Sequence, residues 1–302
     1  MPDYGRDLLF GVFITPVAAP AHQAVDLAVT AETAGLDLAA FQDHPYQPRF
    51  LDTWTLLSYA AARTSRIRLV PDVLNLPLRQ PVVVARSAAS LDLLSGGRLE
   101  LGLGTGAFWD AIAAAGGQRL SPGDAVTGLE EAMRIIRGIW NTADSAPLRV
   151  EGRIHRVHGA KRGPAPAHDV GIWLGAYKPR MLRLTGAAAD GWLPSIGYLR
   201  GGPADLAPLN AAIDDGAASA GRDPAAVRRL LNITGSFGST GRGLLQGPPA
   251  QWAEELAEIT LEYGISGFIL AADDAGAITR FGAEVAPAVR ELVAGARSSR
   301  SR

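Results

Sequence analysis

The sequence of 302 residues contains no cysteine, and this absence excludes a group of functions at once. Without thiols the chain cannot form disulfides, thiolate metal sites or iron–sulfur clusters, and it has no cysteine nucleophile. Any redox chemistry that the protein performs must therefore be carried by a bound cofactor. A chain of this length can bury a core large enough to fold without disulfides or a structural metal.

An excess of charge and long apolar runs are also absent. The 29 basic and 30 acidic side chains leave a net charge of −1, so nothing favours nucleic acid or an anionic membrane as a partner. No apolar run approaches the roughly 20 residues of a membrane-spanning helix. The N-terminal segment lacks the pattern of a signal peptide, which predicts a cytoplasmic protein. We expect its partner to be a small-molecule substrate. Helix faces rich in alanine and leucine favour a homodimer.

Short apolar segments alternate with helical patterns along almost the whole chain, which is typical of βαβ units and a parallel sheet. Eight such units in about 250 residues predict a closed (β/α)8 TIM barrel. The three leucines of Arg98–Gly104 share one face of the strand, and the glycines share the other. Small residues that face inward fit the crowded interior of a barrel, so this strand favours a closed barrel. The predicted strands are Leu8–Ile14, Leu36–Gln42, Ile67–Val73, Arg98–Gly104, Gly171–Gly175, Gly191–Pro194, Leu230–Ser236 and Gly267–Ala271.

Two insertions interrupt the regular alternation. Residues Phe108–Leu120 form a long Gly- and Ala-rich loop after the fourth strand, and residues Pro147–Val157 have the alternation of a β-hairpin. Long loops after barrel strands are usually functional. We predict one domain over residues 1–296 and a disordered basic tail over residues 297–302.

The active site of such a barrel lies at the carboxyl ends of the strands, and Asp43-His44 ends the second of them. Histidine titrates near neutrality and can donate or accept a proton during hydride transfer. The alternative is a histidine that satisfies a buried backbone group or caps the next helix. His44 is therefore the candidate proton donor or acceptor, and Asp43 the residue expected to orient it.

Two further segments at the strand ends suit a flat, phosphorylated ligand. The glycines of Gly102–Gly106 allow close approach to a planar ring, or they only let the barrel interior close. Gly175–Arg180 opens a helix, where free N–H groups and two cations favour a phosphate; the alternative is a solvated surface turn. Trp109, in the loop after the glycines, is the aromatic residue expected to cover a ligand.

These segments resemble the bacterial luciferase-like oxidoreductase superfamily, and within it the branch that uses the 5-deazaflavin coenzyme F420. The resemblance covers most of the chain. Its motifs are Gln42-Asp-His44, the stretch Ser90–Gly106 with Leu-Ser-Gly-Gly-Arg, the stretch Trp173–Gly186, and Ala189-Asp-Gly-Trp-Leu-Pro-Ser195.

The resemblance implies a ring held over the strand ends and backed by a non-proline cis peptide, which falls at Asp72-Val73. The catalytic histidine and the acid before it fall on His44 and Asp43. One departure concerns Ala107, where the sugar dehydrogenases of this branch carry an acid. The implied cofactor-binding residues, together with those chosen above, are Asp72, Val73, Asn75, Gly104, Thr105, Gly106, Asp110, Gly175, Ala176, Tyr177, Lys178, Pro179 and Arg180.

We therefore expect an oxidoreductase that transfers hydride between coenzyme F420 and a small organic substrate. One alternative is an FMN-dependent monooxygenase on the same barrel, and another is a flavin-binding protein without catalysis. A phosphate-binding barrel lyase is disfavoured because no lysine precedes Lys161.

Overall fold

The computed structural model describes residues 3–241 and 243–300. In chain order the strands are β1 Leu9–Ile14, β2 Leu38–Phe41, β3 Arg68–Pro71, β4 Leu74–Asn75, β5 Leu101–Gly104, β6 Leu148–Glu151, β7 Arg156–Ala160, β8 Ile172–Leu174, β9 Gly191–Trp192, β10 Arg228–Ile233, β11 Ser236–Phe237, β12 Gln246–Gly247 and β13 Gly267–Ala271. The helices are α1 Gln23–Thr33, α2 Thr53–Arg63, α3 Pro81–Ser95, α4 Trp109–Ala114, α5 Pro122–Trp140, α6 Pro179–Ala188, α7 Leu206–Ser219, α8 Pro249–Tyr263, α9 Ala275–Arg280 and α10 Ala286–Arg300.

Nine of these strands form one parallel sheet in the order β3-β2-β1-β13-β10-β9-β8-β5-β4. The first and last members, β3 and β4, are two halves of one strand that is broken at residues 72 and 73. The ring closes where Leu69 of β3 forms a parallel bridge with Leu99, just before β5. The sheet therefore has eight positions around a closed barrel, and the predicted fold is confirmed.

Apolar side chains pack in two layers, one inside the barrel and one between the barrel and its helices. The inner cluster includes Leu38, Val70, Trp173 and Leu230. The outer cluster is larger and includes Leu99, Leu101 and Leu103. This distribution confirms the prediction that leucines face the helices while the glycines of the same strand face inward. The inner cluster fills the barrel below its carboxyl end, which is the end where barrels of this type bind their ligands.

The helices begin and end where local sequence chemistry predicts. Pro81 occupies the first turn of α3, and Gly96 caps its carboxyl end with φ of 73° in the left-handed region. The Asp52 side chain accepts a hydrogen bond from the Thr55 N–H at the start of α2. These caps fix the points at which each chain segment returns to the barrel.

The predicted hairpin is present as the antiparallel pair β6 and β7, which extends to Ala160. Its turn is held by Glu131 of α5, whose carboxylate accepts backbone N–H bonds from residues 153, 154 and 155 at 2.6–2.9 Å. The loop Phe108–Leu120 contains the short helix α4, and a small parallel pair, β11 and β12, follows β10. Sequence analysis missed both of these elements.

The carboxyl-terminal helix differs from the predicted tail. A helix pattern over residues 275–293 becomes α9, a π turn over Phe281–Val285, and α10, which continues through Arg300. Arg297 donates to a carboxylate oxygen of Asp3 at 2.8 Å, which ties the helix to the amino-terminal segment. Residues 297–300 are therefore helical, and residues 301 and 302 lie outside the described part. None of the helices in that part is long and apolar enough to cross a membrane.

Candidate active site at the carboxyl ends of the strands

A cavity of about 480 Å³ lies at the carboxyl end of the barrel. It contains most of the predicted residues, which come from the ends of four different strand positions, together with several that were not selected from the sequence. The lining residues are Phe13, Asp43, His44, Tyr46, Asp72, Val73, Leu74, Asn75, Gly104, Thr105, Gly106, Ala107, Phe108, Gly175, Ala176, Tyr177, Lys178, Met181, Leu193, Ser195, Tyr198 and Asn232.

The break in the third strand places Val73 on the cavity wall. The peptide bond between Asp72 and Val73 is cis, as the resemblance implied. A Cβ atom added at Gly104 would lie 2.6 Å from Val73 Cγ2, and one added at Gly102 would lie 3.3 Å from Val73 Cγ1. Gly104 therefore makes room for the Val73 side chain, which forms an apolar shelf in the cavity, whereas the tightest contact at Gly102 is the Pro71 carbonyl oxygen.

Gly104 and Gly106, which were predicted to admit a planar ring, both line the cavity. A Cβ atom at Gly106 would lie 2.8 Å from Pro77 and 3.1 Å from Ile112, and its φ of +90° is one that only glycine adopts readily. Both glycines are required by contacts within the protein, although their backbones line the cavity.

Asp72 reaches across the interior of the barrel. Its strand position and that of Asn232 on β10 are four steps apart in a ring of eight, so the two residues face each other from opposite sides. Burial above the inner apolar cluster raises the Asp72 pKa. A hydrogen bond with the Asn232 side chain offsets part of this effect, and the resulting pKa is about 7. Within the described residues, Asp72 Oδ2 and Asn232 Oδ1 are buried without a hydrogen-bond partner.

Asp43 is a buried clamp and does not contact His44 through a hydrogen bond. Its two carboxylate oxygens accept from Arg79 Nε and Nη2 at 2.8 and 2.7 Å, and one also accepts from the Asn75 N–H at 2.9 Å. Arg79 Nη2 also donates a hydrogen bond to Asp52 Oδ2 at 2.9 Å. The expectation that Asp43 orients the histidine directly is therefore wrong in its geometry. Asp43 fixes the chain just after the shelf, and its charge acts on His44 through space.

His44 is paired with Tyr46, a residue that the sequence analysis did not select. The Nδ1 atom and the tyrosine hydroxyl are 2.6 Å apart. Burial lowers the His44 pKa, and the Asp43 charge offsets part of that effect. Burial likewise raises the Tyr46 pKa, so its hydroxyl keeps its proton at neutral pH.

The signal for this pair was present in the sequence as Asp-His-Pro-Tyr. Pro45 occupies the second position of a β-turn in which the His44 carbonyl accepts from the Gln47 N–H at 2.8 Å. The turn folds the chain back on itself, which brings the side chains of residues 44 and 46 together.

The start of α6 contributes Tyr177 and Lys178 to the cavity. The Tyr177 hydroxyl accepts from the Ser195 N–H at 2.6 Å, and burial raises its pKa. Lys178 immediately precedes the helix, and its side chain is exposed. Arg180 points elsewhere, because its guanidinium donates to the Gly123 carbonyl and to Thr127 Oγ1 on α5 at 2.8 and 2.9 Å.

Three of the predicted cofactor-binding residues do not line the cavity. Pro179 and Arg180 lie beyond its edge, and Asp110 is fully exposed and paired with Arg119. Trp109 does not line it either; the preceding Phe108 does. The residues that sequence analysis missed are supplied by strands and loops distant in the chain, such as Asn232 and Tyr198.

The closed parallel barrel and the cavity over its strand ends define a (β/α)8-barrel protein with its ligand site at the carboxyl rim. Residues 8–262 match the family model described as luciferase-like monooxygenase. The chain belongs to this family, and the resemblance recognised from its motifs is confirmed.

Curated relatives match over part of their length. The chain is 32% identical over 226 residues to an F420-dependent glucose-6-phosphate dehydrogenase of Nocardia farcinica, covering 72% of this chain and 65% of that protein. It is 36% identical over 201 residues to the phthiodiolone/phenolphthiodiolone dimycocerosates ketoreductase of Mycobacterium tuberculosis, covering 63% and 48%.

The fold is shared with a solved F420-dependent secondary alcohol dehydrogenase that was determined with an F420–acetone adduct. The TM-score is 0.82 at 19% sequence identity, and the match covers 94% of this chain and 99% of that one.

Proposed function

We propose that this protein is a coenzyme F420-dependent oxidoreductase that transfers hydride between the cofactor ring and a small organic substrate. The observation that carries the proposal is the position of the His44–Tyr46 pair in the same cavity as the Val73 shelf. A flat apolar shelf supports a ring, and the adjacent pair exchanges the proton that accompanies hydride transfer. The F420 dependence of the Nocardia farcinica relative supports this choice of cofactor.

The polar residues of the cavity suit a heterocycle with N–H and carbonyl groups along one edge. Oδ1 of Asn75, Oδ1 of Asn232 and Oδ2 of Asp72 are buried, and none has a partner among the described residues. Buried polar atoms are rarely left without partners, so their clustering marks a place for ligand groups. The Val73 shelf and these residues together would hold the ring.

The His44 imidazole is neutral at neutral pH, because burial lowers its pKa. A neutral imidazole can accept the hydroxyl proton of an alcohol substrate. The bound cofactor would supply the acceptor for the hydride. Nδ1–H then donates to the Tyr46 oxygen, and the Asp43 carboxylate stabilises the imidazolium through space. In the reverse direction the imidazolium donates its proton to a carbonyl oxygen.

The cofactor phosphate would lie at the start of α6, because the N–H groups of a first helical turn favour an anion and Lys178 adds a positive charge. We expect Lys178→Ala to weaken cofactor binding about three- to tenfold, because one exposed charge-assisted contact is lost. Arg180→Ala is the matched control, since its guanidinium already bonds to α5. Dissociation constants from fluorescence titration measure both; a larger loss with Arg180→Ala would move the phosphate to that residue.

The same titration tests the cofactor itself. Purified protein should quench or shift the fluorescence of coenzyme F420 at micromolar concentrations, and FMN should compete weakly. Tight FMN binding without a response to F420 would instead favour the monooxygenase that we considered from the sequence. Cofactor binding without turnover of any alcohol or ketone would favour the non-catalytic flavin-binding alternative.

We also propose a cytoplasmic homodimer with no nucleic-acid partner. Helix α3 supports the dimer, because Val83, Leu93 and Leu94 are exposed on it, the last at 88% of its surface. Analytical ultracentrifugation should give twice the mass of the chain, and Leu94→Glu should shift the protein to the monomer. A monomer at high concentration would contradict the proposal.

A further inference from the structure

Two large aromatic side chains are exposed at the mouth of the cavity. Phe108 is 56% exposed and Tyr198 is 72% exposed, and both line the cavity. Grouped exposed apolar side chains on a folded protein usually mark a binding site. A ligand that covers these two rings would bury apolar surface that is otherwise open to water.

Phe108 lies beside the His44–Tyr46 pair. It follows β5, yet its ring centroid is 5.4 Å from that of His44, which follows β2, and 6.1 Å from that of Tyr46. The broken strand with Val73 occupies the position between β2 and β5. Phe108 therefore contacts the proton-exchanging pair from the loop after β5, so its ring bounds the space in which a substrate must lie.

A second aromatic pair continues the same apolar mouth. The rings of Tyr177 and Tyr198 are 5.2 Å apart, and they follow β8 and β9 respectively. Next to Phe108 lies the small side chain of Ala107, and Met181 lines the same cavity. These residues offer ring faces and aliphatic contacts to a substrate but few hydrogen bonds.

The cavity also lacks the charges that an anionic substrate needs. Among the described lining residues the cation is Lys178, which the proposed function assigns to the cofactor. Nearby guanidiniums are engaged, since Arg79 pairs with Asp43 and Arg180 bonds to α5. A phosphorylated substrate would lose its hydration without matching charged partners, which is unfavourable.

We propose that the cavity selects an uncharged substrate with a flat or apolar body, an aromatic or cyclic ketone or the corresponding alcohol, and that Phe108 determines this specificity. The inference rests on the proposed function. In the reduction, the hydride forms a C–H bond at the carbonyl carbon as the C=O π bond breaks, and the oxygen receives the His44 proton. The substrate gains two electrons, and the cofactor loses two.

The test uses the full chain with reduced coenzyme F420 and compares acetophenone and cyclohexanone with 6-phosphogluconolactone, while oxidised cofactor is tested with 1-phenylethanol, cyclohexanol and glucose 6-phosphate. We expect kcat/KM for the uncharged compounds to exceed that for the phosphorylated ones at least tenfold. Preference for the phosphorylated compounds would overturn the inference while leaving the proposed function standing. Absence of F420 binding, or of hydride transfer to every compound, would overturn the proposed function and the inference with it.

Variants locate the specificity. Phe108→Ala should raise KM for acetophenone about fivefold, and Phe108→Tyr should restore it, while the cofactor dissociation constant stays within twofold in both. Tyr59→Ala is the matched control, because Tyr59 is an exposed aromatic residue on α2 that does not line the cavity. An unchanged KM in Phe108→Ala, or an equal increase in Tyr59→Ala, would show that Phe108 does not determine the specificity.

Discussion

Replacing His44 by asparagine should lower turnover by about two to four orders of magnitude while the cofactor dissociation constant changes little. The imidazole is half-buried in the cavity, its Nδ1 is 2.6 Å from the Tyr46 hydroxyl, and burial lowers its pKa below the usual histidine value of about 6.5. Asparagine keeps the size and polarity of the side chain but cannot carry the proton. Steady-state kinetics with F420 titrations on the same sample separate the two effects.

The pH profile gives a second measure of the same role. In the direction of alcohol oxidation, the wild-type rate should rise with pH as the imidazole loses its proton and should reach its plateau before neutrality, because burial lowers the His44 pKa. Tyr46→Phe removes the hydroxyl at Nδ1, so we expect a loss of about tenfold and a shifted profile, with cofactor binding retained. Full activity in the asparagine variant would exclude His44 from the reaction.

Replacing Asp72 by asparagine should stabilise the folded protein at neutral and higher pH. Its pKa is raised from 3.8 to about 7, because the carboxyl lies above the apolar interior of the barrel. Below pH 3.8 the group is protonated in both the folded and the unfolded chain. Between pH 3.8 and 7 the unfolded chain ionises more readily, so the wild type loses stability as the pH rises, by up to about 4 kcal/mol. Above pH 7 the loss is complete.

Urea unfolding at pH 4, 6 and 8 measures this difference. The gain in the free energy of unfolding for Asp72→Asn should be small at pH 4 and reach about 2–4 kcal/mol at pH 8. Asp52→Asn is a control of opposite sign, because hydrogen bonds from Thr55 and Arg79 outweigh burial and lower the Asp52 pKa. A stability loss in Asp72→Asn at pH 8 would mean that the carboxylate is needed in its charged form.

The fold could be predicted because its signals are local. Short apolar segments that alternate with helical patterns, proline at the first turn of α3 and glycine at its end are properties of the local sequence, and the structure contains all of them. The hairpin turn was also predicted from its own residues. The elements that were missed, such as α4 and the pair β11 and β12, are too short to carry a periodic pattern.

The site was predicted only in part because its contacts join distant segments. The sequence placed Asp43 beside His44, but Arg79, which lies 36 residues further along, takes both carboxylate oxygens. Arg180 similarly turns toward Thr127 on another helix. The choice between Phe108 and Trp109 depended on where α4 begins, because neighbouring side chains on a helix face different directions. A short sequence motif shows neither the hydrogen-bond partner of a side chain nor the direction in which that side chain points.

The clamp around Asp43 has a consequence for how this protein could acquire new substrates. The Asp43 carboxylate accepts from the Asn75 N–H directly after the shelf, and Asp43 precedes His44 in the chain. The surface proposed to support the ring and the group proposed to move the proton therefore keep a constant separation. Phe108 and Tyr198 belong to other loops that make no part of this clamp. Loop substitutions can therefore change which molecule is recognised without disturbing the chemistry, and an engineer who wants a different substrate should randomise the loops and leave the clamp intact.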